Sequence, residues 1–480
     1  MNKFYITTPI YYVNAKPHIG HAYTTIAADV LARFHKLQGK DVFFLMGTDE
    51  HGLKIQKKAE EAGKEPRVFV DEISAEFKSL WEKLDIKYDN FIRTTDEKHI
   101  KAVSKMLQTL FENKAIRKGE YEGLYCVGCE QFLNESDLVN GKCPDHDIIP
   151  EKMKEESYLL DMKSKQAELI QKIENDEFRI TPEKYKKEML SFLKNNELKD
   201  LSISRKNVSW GIPLPFDKSY TTYVWVDAFI NYLTGIGWDG NIENIPEFWP
   251  ANVQFIGKDI LRVHATIWPI VLMYLGFPLP KTLFTHGHIL SGGKKMSKTL
   301  GNTISIDEML EKFGVDGTRY LLLSAGTFGE DVDVTTERMV EKYNADLANG
   351  LGNLLSRVVT LAQNSQFPAP NFVQSQPKAD QPMAEISNDS ILKLIENIEL
   401  GQALDYIWNI IKEDDKYIND SEPWKLKKID PKKFEKVMEK LLNDLDKISM
   451  LVAPFMPETS EKIKKALETK KVEPLFQRIK

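Results

Sequence analysis

The chain has 480 residues, too many for a single hydrophobic core, so three or four domains are expected. Hydrophobic residues make up 42% and charged residues 28%, the balance of a globular protein, and no apolar run is long enough to span a bilayer. The formal net charge of −6 excludes a broadly basic nucleic-acid binder, so any RNA partner has to be attracted by local patches and by shape.

Met1-Asn2-Lys3 leads straight into a strand rather than a signal peptide. Lys3-Phe4-Tyr5-Ile6-Thr7 is aromatic and β-branched, the pattern of a buried strand. Residues 22–36 are rich in Ala and Leu, lack Gly and Pro, and stop before Gly39, which predicts a helix. The stretch Thr8-Pro9-Ile10-Tyr11-Tyr12-Val13-Asn14-Ala15-Lys16-Pro17-His18-Ile19-Gly20-His21 therefore places His18 and His21 where a strand turns into a helix. A helix start offers unpaired N–H groups and the positive end of a dipole, which suits phosphate. Each imidazole adds a donor, and Gly20 removes a side chain that would hinder a nucleotide. H-x-x-H by itself reads more simply as two polar residues in a turn. Asp41 to Met46 is the next strand candidate, ending in Gly47-Thr48-Asp49-Glu50-His51-Gly52. At the carboxyl end of a parallel strand Asp49 could hold an ammonium group; as a helix N-cap it would be equally well explained.

All three cysteines fall in one knuckle, Cys126-x-x-Cys129 and then Cys143-Pro144-Asp145-His146. Two close pairs separated by a thirteen-residue loop make a Cys₃His set for one zinc. The set is saturated, so the metal is expected to be structural, and an odd cysteine count without a secretion signal argues against disulfides. Residues 151–200 read as helical and lysine-rich, before Arg205 and Trp210-Gly211-Ile212-Pro213. Strand–helix alternation resumes at Tyr220, with Val253 to Asp259 a strand ending in a carboxylate and Ile260 to Leu275 a helix. On that helix His264 and Trp268 are four apart, on one face. Such aromatic stripes are more often core than pocket, but Asp259 and His264 lie beside a strand terminus.

Ser291-Gly292-Gly293-Lys294-Lys295-Met296-Ser297-Lys298-Thr299-Leu300-Gly301-Asn302 carries three lysines in five residues beside glycines. Lysine is a compact, mobile positive charge, and a closing loop can bring several onto a polyphosphate. A short mixed segment spans 305–345. Thr336 to Gln363 reads as one long helix interrupted only by Gly350 and Gly352, followed by a polar connector to Asn388 and helices to the end. Residues 421–480 hold 15 Lys+Arg against 10 Asp+Glu, which fits an RNA-facing patch or simply soluble helices. Asn353 and Arg357 share a helix face, and Trp424 follows Pro423 at a helix start, where it could stack on a base.

P-H-I-G-H at 17–21 and K-M-S-K-T at 295–299 resemble the two signatures of class I aminoacyl-tRNA synthetases, with Thr299 in place of a serine. T-P-I-Y-Y at 8–12, G-T-D-E-H-G at 47–52, Y-V-W-V-D-A at 223–228 and F-I-G-K-D-I at 255–260 are similar to the methionyl branch of that class, and the resemblance covers the whole chain. It implies an α/β, Rossmann-type doubly wound parallel sheet split by a zinc-knuckle insertion and followed by an all-α helical bundle. The implied parts are 1–115 and 221–290 as catalytic halves, 116–220 as insertion, 291–345 as lysine loop and stem contact, and 346–480 as anticodon domain. It also implies methionine binding at Ile10, Tyr12, Asp49, Trp225, Tyr232, Asp259, His264 and Trp268, with pocket shape variable at Phe229 and Val263. ATP binding falls to His18, Gly20, His21, Lys295, Ser297 and Lys298, of which the histidines and lysines are the catalytic donors. Arg205 is expected near the phosphates, and Asn353, Arg357 and Trp424 at a CAU anticodon. The expected partners are tRNA(Met), ATP with Mg²⁺ and L-methionine, for a cytoplasmic monomer without a membrane segment. No further tRNA-binding module is expected after the bundle, so self-dimerisation through one is not expected either. Residues 116–220 leave little room for a hydrolytic editing domain, so homocysteine is expected to be rejected in the synthetic site as its thiolactone. A nucleotidyltransferase would share the two signatures without needing the helical domain or the knuckle. A non-catalytic tRNA-binding paralogue would be expected to have eroded signatures.

Overall fold

A computed structural model describes residues 2–126, 131–133, 135, 138–144, 147–206, 208–296, 304–363 and 389–480. Among the described residues seven strands form one parallel sheet, in the order Tyr11–Tyr12, Asp41–Asp49, Lys3–Thr7, Val253–Gly257, Thr282–His286 and Arg179–Thr181, with Asn90–Arg93 also paired to Asp41–Asp49. From the central Lys3–Thr7 strand the chain goes first to one side, to Asp41–Asp49, and later returns to the other, at Val253–Gly257. The crevice outside the carboxyl ends of these two neighbours is thus a topological switch point, where open α/β sheets bind ligands.

Because side chains alternate along a strand, the sheet feeds two cores. Phe4, Ile6, Phe44 and Phe255 join one cluster; Tyr5, Leu45 and Ile256 join the other. The first cluster runs on through the Ile19–Leu37 and Ile306–Leu323 helices into the C-terminal helices. The second takes in the aromatic residues 223–238 and the insertion.

The insertion is an antiparallel sheet ordered Gln131–Leu133, Ile116–Cys126, Glu151–Leu160 and Leu201–Ser202. This corrects the helical expectation for 151–200. Gln166–Glu174 and Glu183–Asn195 are helices, but Glu151–Leu160 is a strand. Its Lys and Glu residues suit an isolated helix, yet here they pair across the ribbon, Lys152 with Glu122, Lys154 with Glu120 and Glu156 with Lys118. Arg179–Thr181 then crosses back as an edge strand of the main sheet, so the 116–220 segment is stitched into the α/β core rather than standing apart from it.

The expected single helix over 336–363 is continuous but not uniform. Thr336–Lys342 and Asn353–Ala362 are α-helical, and Tyr343–Gly352 between them is a π-helix. Among the described residues that follow it, the helices are Asp389–Glu396, Leu400–Ser421, Pro423–Ile429, Pro431–Val452 and Pro457–Thr469. No helix of the described residues is long and apolar enough to cross a membrane.

One buried ion pair ties these parts together. Arg319 and Asp29 are both fully buried, with Arg319 Nη2 donating to Asp29 Oδ2 at 2.7 Å. The same guanidinium donates to the carbonyls of Phe455 (2.8 Å), Pro454 (3.0 Å) and Leu84 (3.3 Å). Asp29 in turn accepts from Arg33 Nε and the Lys87 N–H. Removing one partner of a buried pair typically costs about 3–5 kcal/mol, and the surviving Arg33 contact favours the lower end. Arg319→Met is therefore expected to lower the denaturation midpoint strongly, by loosening the α/β core and the helical domain together; an unchanged unfolding curve would contradict this role.

Candidate active site

His18 and His21 organise the start of the Ile19–Leu37 helix themselves. His18 is the N-cap, and its Nδ1 accepts from the Gly20 N–H at 3.1 Å. His21 Nδ1 reaches back to accept from the His18 N–H at 3.2 Å, closing a reciprocal capping box. The two rings stack with centroids 3.7 Å apart. With both Nδ1 atoms accepting, either ring in its neutral form carries its proton on Nε2. Burial, and then the neighbouring His18, push the His21 pKa well below the usual imidazole value, so His21 is neutral at pH 7. Gly20 has a local reason too: a Cβ there would lie 3.0 Å from His18 Cε1, so glycine makes room for the capping ring.

These residues form one wall of a cleft of about 1570 Å³ at the switch point. Across it lies an aromatic pocket. Short helices Val224–Phe229 and Asn231–Thr234 supply Trp225, Phe229 and Tyr232, and the Leu261–Leu275 helix supplies Val263 and His264. His264 Nδ1 donates to the Ile260 carbonyl at 2.9 Å, which leaves Nε2 to accept from the Tyr232 hydroxyl, also at 2.9 Å. Burial lowers the His264 pKa to about 4, outweighing the opposing effects of the Ile260 bond and Asp259. The pocket therefore presents a neutral ring. Ile10, Tyr12, Asp49 and Asp259 also line the cleft, with Asp49 the last residue of its strand and not a helix N-cap.

The lysine-rich segment begins as a hairpin. Ile289–Ser291 pairs with Lys294–Lys295, and Gly292 and Gly293 both take positive φ, as a tight two-residue turn demands. Ile289–Ser291 also pairs with Val332–Asp333, which sets the hairpin at the cleft, where Met296 forms part of the lining. The Lys295 side chain, Ser297 and Lys298 lie outside the described residues.

Two expected site residues are not brought to the cleft surface. Trp268 is fully buried behind the pocket, stacked on Phe229 with centroids 5.8 Å apart and donating to Gln254 Oε1 at 3.1 Å. Arg205 is buried between the rings of Tyr125 and Tyr223, its Nη1 donating to the Ser202 and Ser204 carbonyls. It does not line the cleft in this conformation. Conversely, His286 was not anticipated. It ends the Thr282–His286 strand, lines the cleft, and lies 2.7 Å from Thr24 Oγ1 of the first helix. The His-Gly-His run after a strand was the available signal.

A family model described as tRNA synthetases class I (M) matches residues 4–149 and 146–359, and one for the anticodon binding domain of methionyl tRNA ligase matches residues 378–476. The methionine–tRNA ligase of Clostridium tetani is 46% identical, across 97% of this chain and 74% of that protein. Its counterpart from Rickettsia bellii is 41% identical, across 100% of this chain and 95% of that one. The solved structure of Mycobacterium tuberculosis methionyl-tRNA synthetase in complex with methionyl-adenylate matches with a TM-score of 0.88 at 36% identity, covering 96% of this chain and 93% of that one. The chain belongs to the methionyl-tRNA synthetase family of class I.

The remaining expected site residues of this class I synthetase fall in the helical domain and in the cysteine segment. In the helical domain Arg357 and Trp424 meet, with the guanidinium 5.9 Å from the ring centroid. Arg357 also donates to Asn419 Oδ1 at 2.7 Å, while Trp424 stays 44% exposed and Asn353 is exposed one turn away. In the knuckle Cys126 and Cys143 are both buried, and the Cys143 carbonyl accepts from the Asp147 N–H in a tight turn. Cys129 and His146 lie outside the described residues, and among the described ones no group of three His, Cys, Asp or Glu side chains is arranged to hold a metal ion.

The neutral pocket has a pH signature. The folded-state pKa of His264 lies at about 4, below its usual 6.5, so the unfolded chain binds the extra proton first as pH falls. This contribution to stability is complete above about 6.5 and is lost as pH drops towards about 4. Melting temperature measured across that window is expected to fall, and to fall less steeply in His264→Gln; parallel curves would mean that this ring is not held neutral.

Proposed function

We propose that this chain charges tRNA(Met) with methionine in two steps at the sheet's crevice. The methionine carboxylate attacks the α-phosphorus of ATP, forming methionyl-adenylate and releasing pyrophosphate. A ribose hydroxyl of the tRNA 3′ adenosine then attacks the activated carbonyl, and AMP leaves. The observation that carries this reading is the meeting, in one cleft, of a histidine-capped helix start with a neutral aromatic pocket bordered by Asp49.

No covalent nucleophile is required, so positioning and charge stabilisation do the work. His18 and His21 offer Nε2–H donors to the phosphoryl oxygens, joined by Lys295 and Lys298, with Gly20 and Ser297 completing the nucleotide contacts. Mg²⁺ arriving with ATP would neutralise part of the polyphosphate charge. Asp49 takes the substrate ammonium. Ile10, Tyr12, Trp225, Tyr232 and His264 surround the side chain, with Trp268 backing them and Asp259 at the rim. A neutral His264 suits a thioether, since burying a charged ring there would cost far more. Arg205 would reach the phosphates only by leaving its place between two tyrosines.

We assign 1–115 and 221–290 to the two catalytic halves, 116–220 to the insertion, 291–345 to the lysine loop and stem contact, and 346–480 to anticodon binding. Asn353, Arg357 and Trp424 would read the CAU anticodon, Trp424 by stacking. Cys126, Cys129, Cys143 and His146 would hold one zinc, which supplies no chemistry but ties the knuckle; two buried thiols flanking it fit a thiolate donor set. The protein would act as a monomer in the cytoplasm. Homocysteine differs from methionine by a methyl group, worth only about 1–3 kcal/mol of discrimination, so its thiol is proposed to attack the carbonyl of its own adenylate, breaking the acyl–phosphate bond to release AMP and the cyclic thiolactone.

Methionine-dependent pyrophosphate exchange tests the first step directly. His21→Ala should slow it by about 2.7–4 kcal/mol of barrier, the loss of one transition-state donor, while methionine affinity changes little. Trp424→Ala should leave exchange intact and weaken charging at limiting tRNA by about 1–3 kcal/mol. Exchange unaffected in His21→Ala, or impaired in Trp424→Ala, would refute these assignments. Metal analysis should return one zinc per chain, lost in Cys126→Ser, and homocysteine with ATP should yield thiolactone without tRNA; stable homocysteinyl-adenylate would exclude that route.

A further inference from the structure

Behind the aromatic pocket lies a buried polar chain, none of whose residues lines the cleft. Asp227 is buried between His51 and His99, which are buried as well. Its Oδ2 accepts from His51 Nδ1 at 2.7 Å and its Oδ1 from His99 Nε2 at 2.8 Å. A carboxylate has no proton to offer, so both ring nitrogens are the donors. The other nitrogen of His99 lies 2.8 Å from Thr234 Oγ1, which extends the chain by one link. Burial pushes the Asp227 carboxyl up, but His51 and His99 together hold it below the usual carboxylate range.

What matters is which elements these residues belong to. His51 follows the strand that ends in Asp49, and its carbonyl accepts from the Tyr12 hydroxyl at 3.1 Å. Asp227 sits between Trp225 and Phe229 in a helix of 6 residues, and Thr234 ends the next helix, of 4 residues, two positions after Tyr232. His99 belongs to the Glu97–Glu112 helix. Helices this short cannot hold themselves, because nucleation is costly and only tertiary contacts repay it. Three hydrogen bonds in series thus join the Asp49 side of the pocket to both short helices that carry its aromatic side.

We propose that the His51–Asp227–His99–Thr234 chain fixes the two walls of the amino-acid pocket relative to one another, making Asp227 and His99 positioning residues for the amino acid and not for the nucleotide. The proposal rests on the methionine-activating reading above. None of the four lines the cleft; their effect passes through Trp225, Tyr232 and Asp49.

Pyrophosphate exchange by the full chain, with methionine and ATP varied separately, tests it. His99→Leu should raise the KM for methionine about tenfold or more, the scale of one charge-assisted hydrogen bond, with the KM for ATP within about twofold. His99→Gln, whose amide nitrogen can occupy the place of Nε2, should recover most of the loss. If His99→Leu does not fold, Thr234→Val removes only the last link and should still raise the methionine KM several-fold. Equal rises for methionine and ATP, no change for methionine in a folded variant, or no recovery in His99→Gln would overturn the proposal. Failure of the unaltered protein to exchange with methionine would instead overturn the functional reading on which it rests.

Discussion

The Asp29–Arg319 pair is the constraint on which the rest hangs. Asp29 sits in the middle of the helix whose first turn carries His18 and His21, and Arg319 sits in the helix that leads out of the α/β core. By also holding the Pro454 and Phe455 carbonyls, one guanidinium fixes the helical domain to the same rod that positions the histidines. A charge this deep is tolerable only because its bonds are made, by four separate acceptors from distant parts of the chain. The helix that carries the histidines and the C-terminal helices are therefore joined through one buried side chain.

A chain of net negative charge that handles anions has to concentrate its attraction locally. It does so with geometry as much as with formal charge. The first helix presents its N-terminus at the switch point, and the hairpin at Lys294–Lys295 is set beside it through Ile289–Ser291. The pocket opposite is kept apolar and uncharged, with burial holding His264 in its neutral form. Two environments of opposite character thus share one cleft, as joining a polyphosphate to an apolar amino acid would require.

Much of this could be read from sequence wherever the signal is local. The strand and helix around His18 and His21 are adjacent in the chain and carry their own periodicity, so their junction was legible, as were the strand ending near Asp49 and the helix bearing His264. What was not legible depended on partners far away in sequence. Glu151–Leu160 has the composition of a helix and becomes a strand only because Ile116–Cys126 lies alongside it. Arg179–Thr181 is too short for any pattern to reveal that it joins the main sheet. Helical spacing correctly put His264 and Trp268 on one face but could not say that Phe229 would screen Trp268 from the cleft. Nor could Arg205 be known to lie between Tyr125 and Tyr223, since neither ring is its neighbour in the chain. Tyr343–Gly352 shows a finer limit: an apolar stripe reports a helix, and two glycines hint at irregularity, but the shift to i→i+5 bonding leaves no periodic trace.

The reciprocal cap at His18 and His21 carries a consequence for how this region can change by mutation. Helix caps are usually Ser, Thr, Asp or Asn, any of which could hold the first turn at His18 as well as an imidazole does. Using histidines means that the same atoms which fix the helix also choose, through Nδ1, which nitrogen of each ring keeps its proton. The cost of orienting those rings is met when the protein folds, before any ligand arrives. It also means that neither position is free to drift alone: a substitution that preserves the cap discards the donor, and one that preserves an imidazole without the reciprocal bond discards its tautomer. Fold and chemistry are drawing on the same two side chains, so selection on either one restrains both.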